Sequence, residues 1–357
     1  MLTEPSTNME TDFELLQELT ETSGAPGYED RVRAIVRDVF EDTVDYVRTD
    51  AMGNVVGTLE GESDRSVAVA AHMDEIGFMI RHVTDRGFLK IDSLGGWDPR
   101  VLRAQRVRVH AQDGDLTGVI GSVPPHTLDE DQRQQDDAVE DVHIDLGRDA
   151  ETVDELVSVG DIVTMEQTTE QIGERITGKA LDDRVCVFAM LEAAARLETP
   201  PCDIHFAATV QEEVGLRGAQ ALGVDIDPDL AIALDVTVAN DVPAIPDAAD
   251  RVTELGAGTA VKLKDSSVIT SPKVHQRLRE VATERDIPHQ LEVLPAGGTD
   301  TAGFQNTNGA KPVGAVSIPT RYLHTVTETA DQGDIDATVE LLTAFLETES
   351  ESHDYTL

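Results

Sequence analysis

The sequence contains little lysine and little cysteine. Lysine occurs at six of 357 positions. The chain has 28 basic and 69 acidic residues, which gives a net charge of −41. Proteins that bind nucleic acid neutralise phosphates with Lys and Arg, so this composition excludes that class of partner. Cys186 and Cys202 are the only cysteines. Two cysteines do not make a disulfide framework and are typical of a reducing compartment.

The sequence also lacks long hydrophobic runs. No stretch approaches the roughly 20 consecutive apolar residues that a transmembrane helix needs, so no membrane span is expected. The first residues, MLTEPSTNMETDFELL, lack the basic flank and apolar block of a secretion signal. We therefore expect a cytoplasmic protein. Hydrophobic residues make up 40% of the chain, which is enough to build a folded core.

The excess of negative charge indicates adaptation to high salt. A net charge of −41 repels itself at low ionic strength and loosens a compact fold. At about 1 M salt the Debye length falls to about 3 Å, and this repulsion is largely screened. We predict that the protein comes from a halophile.

Hydrophobic periodicity predicts an α/β domain that is interrupted by a β domain. Helical spacing predicts two helices within residues 11–42, and a continuous apolar run predicts a buried parallel strand at Ser66–Ala71. Residues 73–169 carry short alternating strands without a strong helical pattern, apart from an acidic polar loop at 127–141, and predict an all-β insertion. We expect residues 1–72 and 170–357 to form one catalytic α/β domain.

Helices and strands alternate again after Gly178, which favours an open sheet between layers of helices. A strand with an adjoining turn is also expected at Asp50–Leu59. The elements predicted after Gly178 are helices at 183–197, 273–285 and 335–347 and a helix start at 218, with strands at 204–210, 230–234, 290–294 and 313–318.

Histidines and carboxylates follow several of these strands. Ligands of open α/β sheets bind beyond the carboxyl ends of the strands. The residues at such positions are His72, Glu212, Glu213, Asp235 and His324, and Asp182 precedes the helix at 183–197. Imidazole and carboxylate are ligands suited to Zn²⁺, Co²⁺ or Mn²⁺. The sequence therefore predicts a metal site at this edge of the sheet.

Such a site has defined chemical requirements. Two divalent ions about 3.5–4 Å apart need a bridging carboxylate to offset their repulsion. A carboxylate that binds no metal must take a proton from the activated water. The adjacent Glu212 and Glu213 can divide these tasks, with one binding metal and the other acting as the base.

These residues lie in motifs that resemble the M42 family of metallopeptidases, which contains the tetrahedral and deblocking aminopeptidases. The resemblance extends from Leu15 to the final helix. The motifs are, in chain order, AHMDEIG (71–77), ALDDR (180–184), TVQEEVGLRGA (209–219), ALDV (233–236), GGTD (297–300) and IPTRYLH (318–324).

The resemblance implies a role for each site residue. His72 and Asp235 would bind one ion, Glu213 and His324 the other, and Asp182 would bridge both. Glu212 would be the general base, and Asp74 would orient the imidazole of His72. The implied cofactors are two divalent ions per subunit, zinc first, with cobalt or manganese as alternatives.

The resemblance also implies an architecture and an activity. The α/β domain would be similar to zinc peptidases, with a mixed sheet, and the insertion would be a barrel-like dimerisation domain. Subunits would form dimers and a tetrahedral homododecamer. The implied activity is removal of N-terminal residues from short peptides.

Other functions stay open at the level of sequence. Deblocking, or deacylation of N-acyl amino acids, would use the same site. An endoglucanase, a label that some family members have carried, is disfavoured because glycosidases need a carboxylate pair and no metal. A preference for acidic N-terminal residues would need a basic pocket, for which Arg217, Arg321 and Lys262 are candidates.

Three local features depart from a simple reading of the motifs. Asp183 can either cap the helix or contact the site. Cys186 stands where a glycine is common in the family, and we expect a buried neutral thiol there. The segment after His324, TVTET at 325–329, replaces the Ser and Pro that are usual in relatives.

Overall fold

The computed structural model describes residues 9–130 and 138–357, which form a mixed parallel and antiparallel β-sheet packed against helices, and a closed β-barrel. The helices are α1 (Met9–Glu21), α2 (Asp30–Thr43), α3 (Ala150–Leu156), α4 (Leu181–Arg196), α5 (Arg217–Ile226), α6 (Pro272–Glu284), α7 (Asp300–Gln305) and α8 (Gln332–Thr348).

The strands alternate with these helices along the chain. They are β1 (Tyr46–Thr49), β2 (Val55–Leu59), β3 (Ser66–His72), β4 (Gly77–Val83), β5 (Leu89–Leu94), β6 (Arg106–Ala111), β7 (Gly114–Ile120), β8 (His143–Asp145), β9 (Ile162–Met165), β10 (Glu170–Ile172), β11 (Arg175–Gly178), β12 (Asp203–Thr209), β13 (Leu230–Val238), β14 (Thr259–Lys264), β15 (His289–Val293), β16 (Val313–Arg321) and β17 (Glu328–Asp331).

Four parallel strands form the centre of the sheet. They lie in the order β12-β3-β13-β16, with antiparallel strands outside them. The carboxyl ends of parallel strands meet at one edge, which is the edge that the sequence predicted for the site. The predicted strand at Ser66–Ala71 is confirmed as β3, which extends by one residue to His72.

Helices cover both faces of this sheet, as predicted. In β3, Val67 and Val69 pack into the larger hydrophobic core with α1, α2, α4, α6 and α8. Ala68 and Ala70 face the other side, where α5 and α7 contribute Leu222 and Phe304. Because both faces of β3 are buried, its sequence is continuously apolar rather than alternating.

The inserted strands close into a barrel in the order β4-β5-β8-β7-β6-β9. Its core is separate from that of the sheet and includes Phe78, Ile91, Val107 and Val163. The chain leaves the sheet after β3 and returns to it at β10. The division into domains at 72/73 and 169/170 stays a prediction.

The predicted β-barrel insertion is confirmed, and it also contains a short helix that the sequence did not predict, α3, between β8 and β9. Asp149 caps this helix: its side chain accepts a hydrogen bond from the Thr152 N–H at 3.0 Å. Val153 is the residue of α3 that is fully packed into the barrel core. A seven-residue helix spans about two turns, which is too short for periodicity to reveal.

Three predicted strands had the wrong limits. The strand expected at Asp50–Leu59 is a hairpin of β1 and β2, because the Asp50 carboxylate accepts the N–H groups of Met52, Gly53 and Asn54 and forms a turn. The strands expected to end at residues 234 and 318 continue to Val238 and Arg321. Of the predicted acidic loop at 127–141, residues 131–137 lie outside the described residues, and 139–141 form a 3-10 turn.

Within residues 9–130 and 138–357, every helix is too short or too polar to cross a lipid bilayer.

Candidate metal centre

The edge formed by the four parallel strands gathers the residues that the sequence singled out. His72 is the last residue of β3, and Glu212 and Glu213 follow β12. Asp235 lies within β13, where it is paired with Ser317 of β16. His324 follows the carboxyl end of β16. Parallel pairing thus brings these distant segments together.

Asp182 lies between the two imidazoles. His72 Nε2 is 3.2 Å from Asp182 Oδ1, and His324 Nε2 is 3.4 Å from Asp182 Oδ2. Each carboxylate oxygen therefore faces a different histidine. This is the arrangement that a bridging carboxylate between two ions requires.

Backbone carbonyls orient both rings. His72 Nδ1 donates to the carbonyl oxygen of Asp74 at 3.0 Å, and His324 Nδ1 donates to that of Gly96 at 2.6 Å. A carbonyl only accepts, so each Nδ1 carries a proton and Nε2 is the ring nitrogen left for a metal ion. Both Nε2 atoms face Asp182, as metal ligation requires.

The adjacent glutamates face opposite sides of the site. Glu212 Oε2 is 3.9 Å from His72 Nε2, whereas Glu213 Oε2 is 3.8 Å from His324 Nε2. The buried carboxylate of Asp74 accepts both of their backbone N–H groups, at 3.0 and 3.1 Å. Asp74 Oδ1 is 3.6 Å from His72 Nδ1. Asp74 thus contacts His72 mainly through its carbonyl, and its carboxylate fixes the glutamate pair.

Asp183 contacts the site through its carboxylate, which makes no hydrogen bond to a backbone N–H of α4 among the described residues. Asp182 and Asp183 have non-helical backbone angles, and the peptide bond between them is cis. Asp183 is fully buried, and its Oδ2 accepts the His72 N–H at 3.1 Å. The sequence left open whether Asp183 caps the helix or contacts the site, and its contact with His72 decides for the site.

Two groups of side chains can each hold a metal ion, because the ligand atoms within each group lie within 4.8 Å of one another. We call the first the buried half and the second the open half, and Asp182 belongs to both. The buried half consists of His72, Asp182, Asp183 and Asp235, and the open half of Asp182, Glu213 and His324.

Burial and mutual repulsion disturb the ionisation of these groups. Burial, together with the negative charge of the nearby Asp182, raises the pKa of Glu213 to about 8. Burial lowers the pKa of His324, but its hydrogen bond to Asp182 and the charges of Asp182 and Glu213 outweigh this and raise it to about 10. Burial likewise raises the pKa values of Glu212 and Asp235. Asp182 has a lowered pKa: burial raises it, but hydrogen bonds to the two histidines outweigh that.

The donor set fits divalent metal ions. The oxygens Asp183 Oδ1 and Glu213 Oε1 are buried and have no hydrogen-bond partner among the described residues. Buried carboxylates without partners are costly unless they are neutralised or bind metal. Two imidazole lone pairs and several carboxylates form a set suited to Zn²⁺, Co²⁺ or Mn²⁺.

Sequence reasoning did not assign a role to several residues at the site. Glu328 accepts the N–H groups of Asp182 and His324. Asp300 ends the GGTD motif and accepts from Thr209 Oγ1 at 2.5 Å. Burial raises its pKa to about 6. The motif could have indicated Asp300, but one glutamate among 69 acidic residues gives no signal for Glu328.

Cys186 lies in α4 and is fully buried. Burial raises the pKa of its thiol, and the adjacent Asp183 raises it further. The thiol is therefore neutral, as expected.

Comparison with known proteins identifies the family. The sequence profile described as M42 glutamyl aminopeptidase matches residues 53–341. A lysyl aminopeptidase from Pyrococcus furiosus is 37% identical over 346 residues, covering 94% of this chain and 97% of that protein.

Solved structures agree. An aminopeptidase from Desulfurococcus kamchatkensis has a TM-score of 0.91 at 38% identity, with 95% of each chain covered. The TET1 peptidase of Pyrococcus horikoshii, which assembles into a tetrahedron or a large octahedral shell, has a TM-score of 0.85 at 33% identity, covering 95% of this chain and 100% of that one. The chain therefore belongs to the M42 family of aminopeptidases, hydrolases that act on N-terminal residues.

Proposed function

We propose that the protein removes N-terminal residues from short peptides with two divalent metal ions. His72 and Asp235 would hold one ion and Glu213 and His324 the other, with Asp182 between them. The observation that carries this proposal is that the two oxygens of Asp182 face the two imidazoles, at 3.2 and 3.4 Å.

When bound, such ions would supply Lewis-acid chemistry, which polarises a carbonyl and makes a water molecule more acidic. Glu212 is placed to accept the proton of that water, because its carboxylate faces the buried half and is held by Asp74 through its backbone N–H. Glu212 then returns the proton to the leaving amine. Asp183 fixes the backbone of His72, and the Asp74 and Gly96 carbonyls keep both histidines in the metal-binding tautomer.

Two of the three cations considered for an acidic substrate pocket are paired with acidic side chains. Arg321 is paired with Asp241, with contacts of 2.7 and 2.5 Å. Lys262 is fully buried and bound to Glu292. Arg217 Nη1 lies 3.4 Å from Gln211 Oε1. The proposal therefore concerns free N-terminal amines in general and does not assign the residue that is removed.

Substrate panels test the activity. Purified protein in molar KCl with Zn²⁺, Co²⁺ or Mn²⁺ is offered aminoacyl-p-nitroanilides, N-acetylated peptides and carboxymethylcellulose. Release from free-amine substrates alone supports the proposal. Cleavage of the acetylated peptides would favour a deblocking enzyme, and sugar release would favour the endoglucanase. Full activity after exhaustive chelation would contradict every metal-dependent version.

We also propose that the subunits form dimers through the barrel, and then a tetrahedral dodecamer in the cytoplasm. The support is the assembly of the Pyrococcus horikoshii relative. Subunits with a net charge of −41 each repel one another, so the particle should require high salt. Size-exclusion chromatography across a KCl series measures this, and a monomer at molar salt would contradict it.

A further inference from the structure

Glu328 is a buried carboxylate that no step of the proposed reaction uses. It is the first residue of β17 and is 2% exposed. Its Oε2 accepts the N–H of Asp182 at 3.0 Å, and its Oε1 accepts the N–H of His324 at 2.8 Å. Both bonds are within the normal range for backbone N–H donors.

These two donors belong to distant parts of the chain. Asp182 is 146 residues from Glu328 in sequence and His324 only four. Both residues also belong to the open half of the metal centre. One side chain therefore fixes the spacing between the backbone of the bridging carboxylate and the backbone of an imidazole ligand.

The backbone at these positions needs such support. Asp182 has non-helical angles at the start of α4, and His324 has a φ of 58°. A positive φ is costly for a residue with a side chain and persists only where the surroundings hold it. Neither N–H belongs to a regular helix or strand ladder, so Glu328 satisfies donors that would otherwise be unpaired.

The space beside Glu328 holds at most about one water molecule. The cavity next to Glu328 has a volume of about 10 Å³ and is lined by residues such as Lys179, Trp97 and Val326. A water molecule needs about 10–15 Å³ and several polar partners. The buried ammonium of Lys179, which is bound to Glu75 at 2.6 Å, supplies nearby positive charge.

The surroundings distinguish Glu328 from an ordinary buried glutamate. Glu349 is equally buried, but it binds Tyr355 Oη at 2.6 Å and Arg65 at 3.1 Å, beyond the opposite end of β3 from His72. Those partners tie the end of α8 to the C-terminal residues. Glu349 therefore supports the fold without contact with any proposed ligand, and it provides a matched control.

We propose that Glu328 is a positioning residue of the metal centre, which holds Asp182 and His324 at the separation that metal binding requires. This inference rests on the proposed function. Residues that orient ligands typically change metal affinity or activity by about 10–100-fold when they are replaced.

The test compares Glu328→Gln with Glu349→Gln. Glutamine keeps the size of the side chain, but its amide nitrogen cannot accept, so one of the two N–H groups loses its partner. For Glu328→Gln we expect about 10–100-fold weaker metal binding, a fall in kcat with little change in KM, and a shifted visible absorption band of the Co²⁺-loaded protein. For Glu349→Gln we expect a lower Tm but wild-type metal affinity and spectrum.

A second variant covers the case in which Glu328→Gln does not fold. Glu328→Asp keeps the charge but is shorter and reaches one N–H group, so we expect about tenfold weaker metal binding. Wild-type metal affinity and Co²⁺ spectrum in a folded Glu328 variant would overturn the inference. If the wild-type protein itself binds no divalent ion, the proposed function fails. If the wild-type protein binds metal normally and the Glu328 variants bind it equally well, only the role of Glu328 is refuted.

Discussion

The two halves of the metal centre use the same kinds of side chain in different surroundings. In the buried half, the His72 side chain is 2% exposed, and in the open half that of His324 is 38% exposed. His72 ends a strand with parallel neighbours on both sides, whereas His324 follows β16 on an irregular segment with positive φ. One half is thus held by the sheet and the other by individual contacts.

The segment between β5 and β6 of the barrel contributes to the open half. The carbonyl oxygen of Gly96 in this segment accepts a hydrogen bond from His324 Nδ1, and a Cβ atom at Gly95 would lie 3.4 Å from the Cβ of Glu213. The Asp74 carbonyl, which performs the same task for His72, directly follows β3. The sheet therefore preforms one half, while the other depends on how the barrel meets the sheet.

The largest effect should follow a change at the residue that both halves share. Asp182→Asn keeps one oxygen, so one imidazole loses its carboxylate partner, and the negative charge that two cations need is gone. We expect loss of both ions and a fall in kcat/KM of more than about 10⁴-fold. Metal analysis after gel filtration measures the ions. Two retained ions would show that the halves do not depend on Asp182.

A nearly equal loss of rate without loss of metal is expected at Glu212. Glu212→Gln removes the proposed base, which should lower kcat by about 10²–10⁴-fold while both ions stay bound. Its neighbour provides the matched control: Glu213→Gln should weaken binding of the ion in the open half. Unchanged turnover in Glu212→Gln would rule out its role as the base.

A smaller effect should reveal the contribution of the barrel. In Gly96→Ala the new Cβ would lie 3.3 Å from His324 Nδ1, so the ring must move by a few tenths of an ångström. We expect up to about tenfold lower kcat and weaker binding of one ion. Gly121→Ala, also in the insertion, has open space around its Cβ and should be neutral. Equal behaviour of the two variants, measured by kinetics and metal titration, would contradict a role for the barrel in the open half.

The smallest effect concerns the stability of the metal-free protein. Glu213 and His324 have pKa values raised to about 8 and about 10, so the folded state binds more protons than the unfolded state. The stability from Glu213 is complete below its ordinary value of 4.5 and lost as pH rises through 8. That from His324 is complete below 6.5 and lost as pH rises through 10.

Urea unfolding in chelator at constant salt should therefore show a free energy of unfolding that falls between about pH 5 and 9, with the contribution of the partly exposed His324 reduced by solvent screening. Glu213→Gln should flatten the lower part of this curve. A free energy that rises over the same range would contradict the assigned directions.

Much of the fold could be predicted because its signals are local. The continuous apolar run of β3 follows from burial on both faces, and the long helices α2 and α8 show helical periodicity. Short or context-dependent elements gave no comparable signal. The helix α3 is too short, α7 has six residues, and β17 is defined by its pairing with β11 and β16.

The residues of the candidate site also divide into those that the sequence could predict and those that it could not. His72, Asp182, Glu213, Asp235 and His324 were named from strand ends and motifs, and the structure brings them together. Gly96 could not be predicted, because it acts through a backbone carbonyl that every residue has. Glu328 could not be separated from other acidic residues, and its segment departs from the usual family pattern.

The sequence by itself determined the kinds of ligand, the family, and the sheet edge at which the ligands meet, because residue type and hydrophobic pattern are written in the chain. Only the tertiary structure decided which oxygen of Asp182 faces which histidine, and that Asp183 contacts the site. It also decided that Asp74 and Glu328 hold the backbones of four site residues. Hydrogen bonds between distant segments form only when their atoms are placed to within a few tenths of an ångström. Only the packing of the folded chain places them with that accuracy.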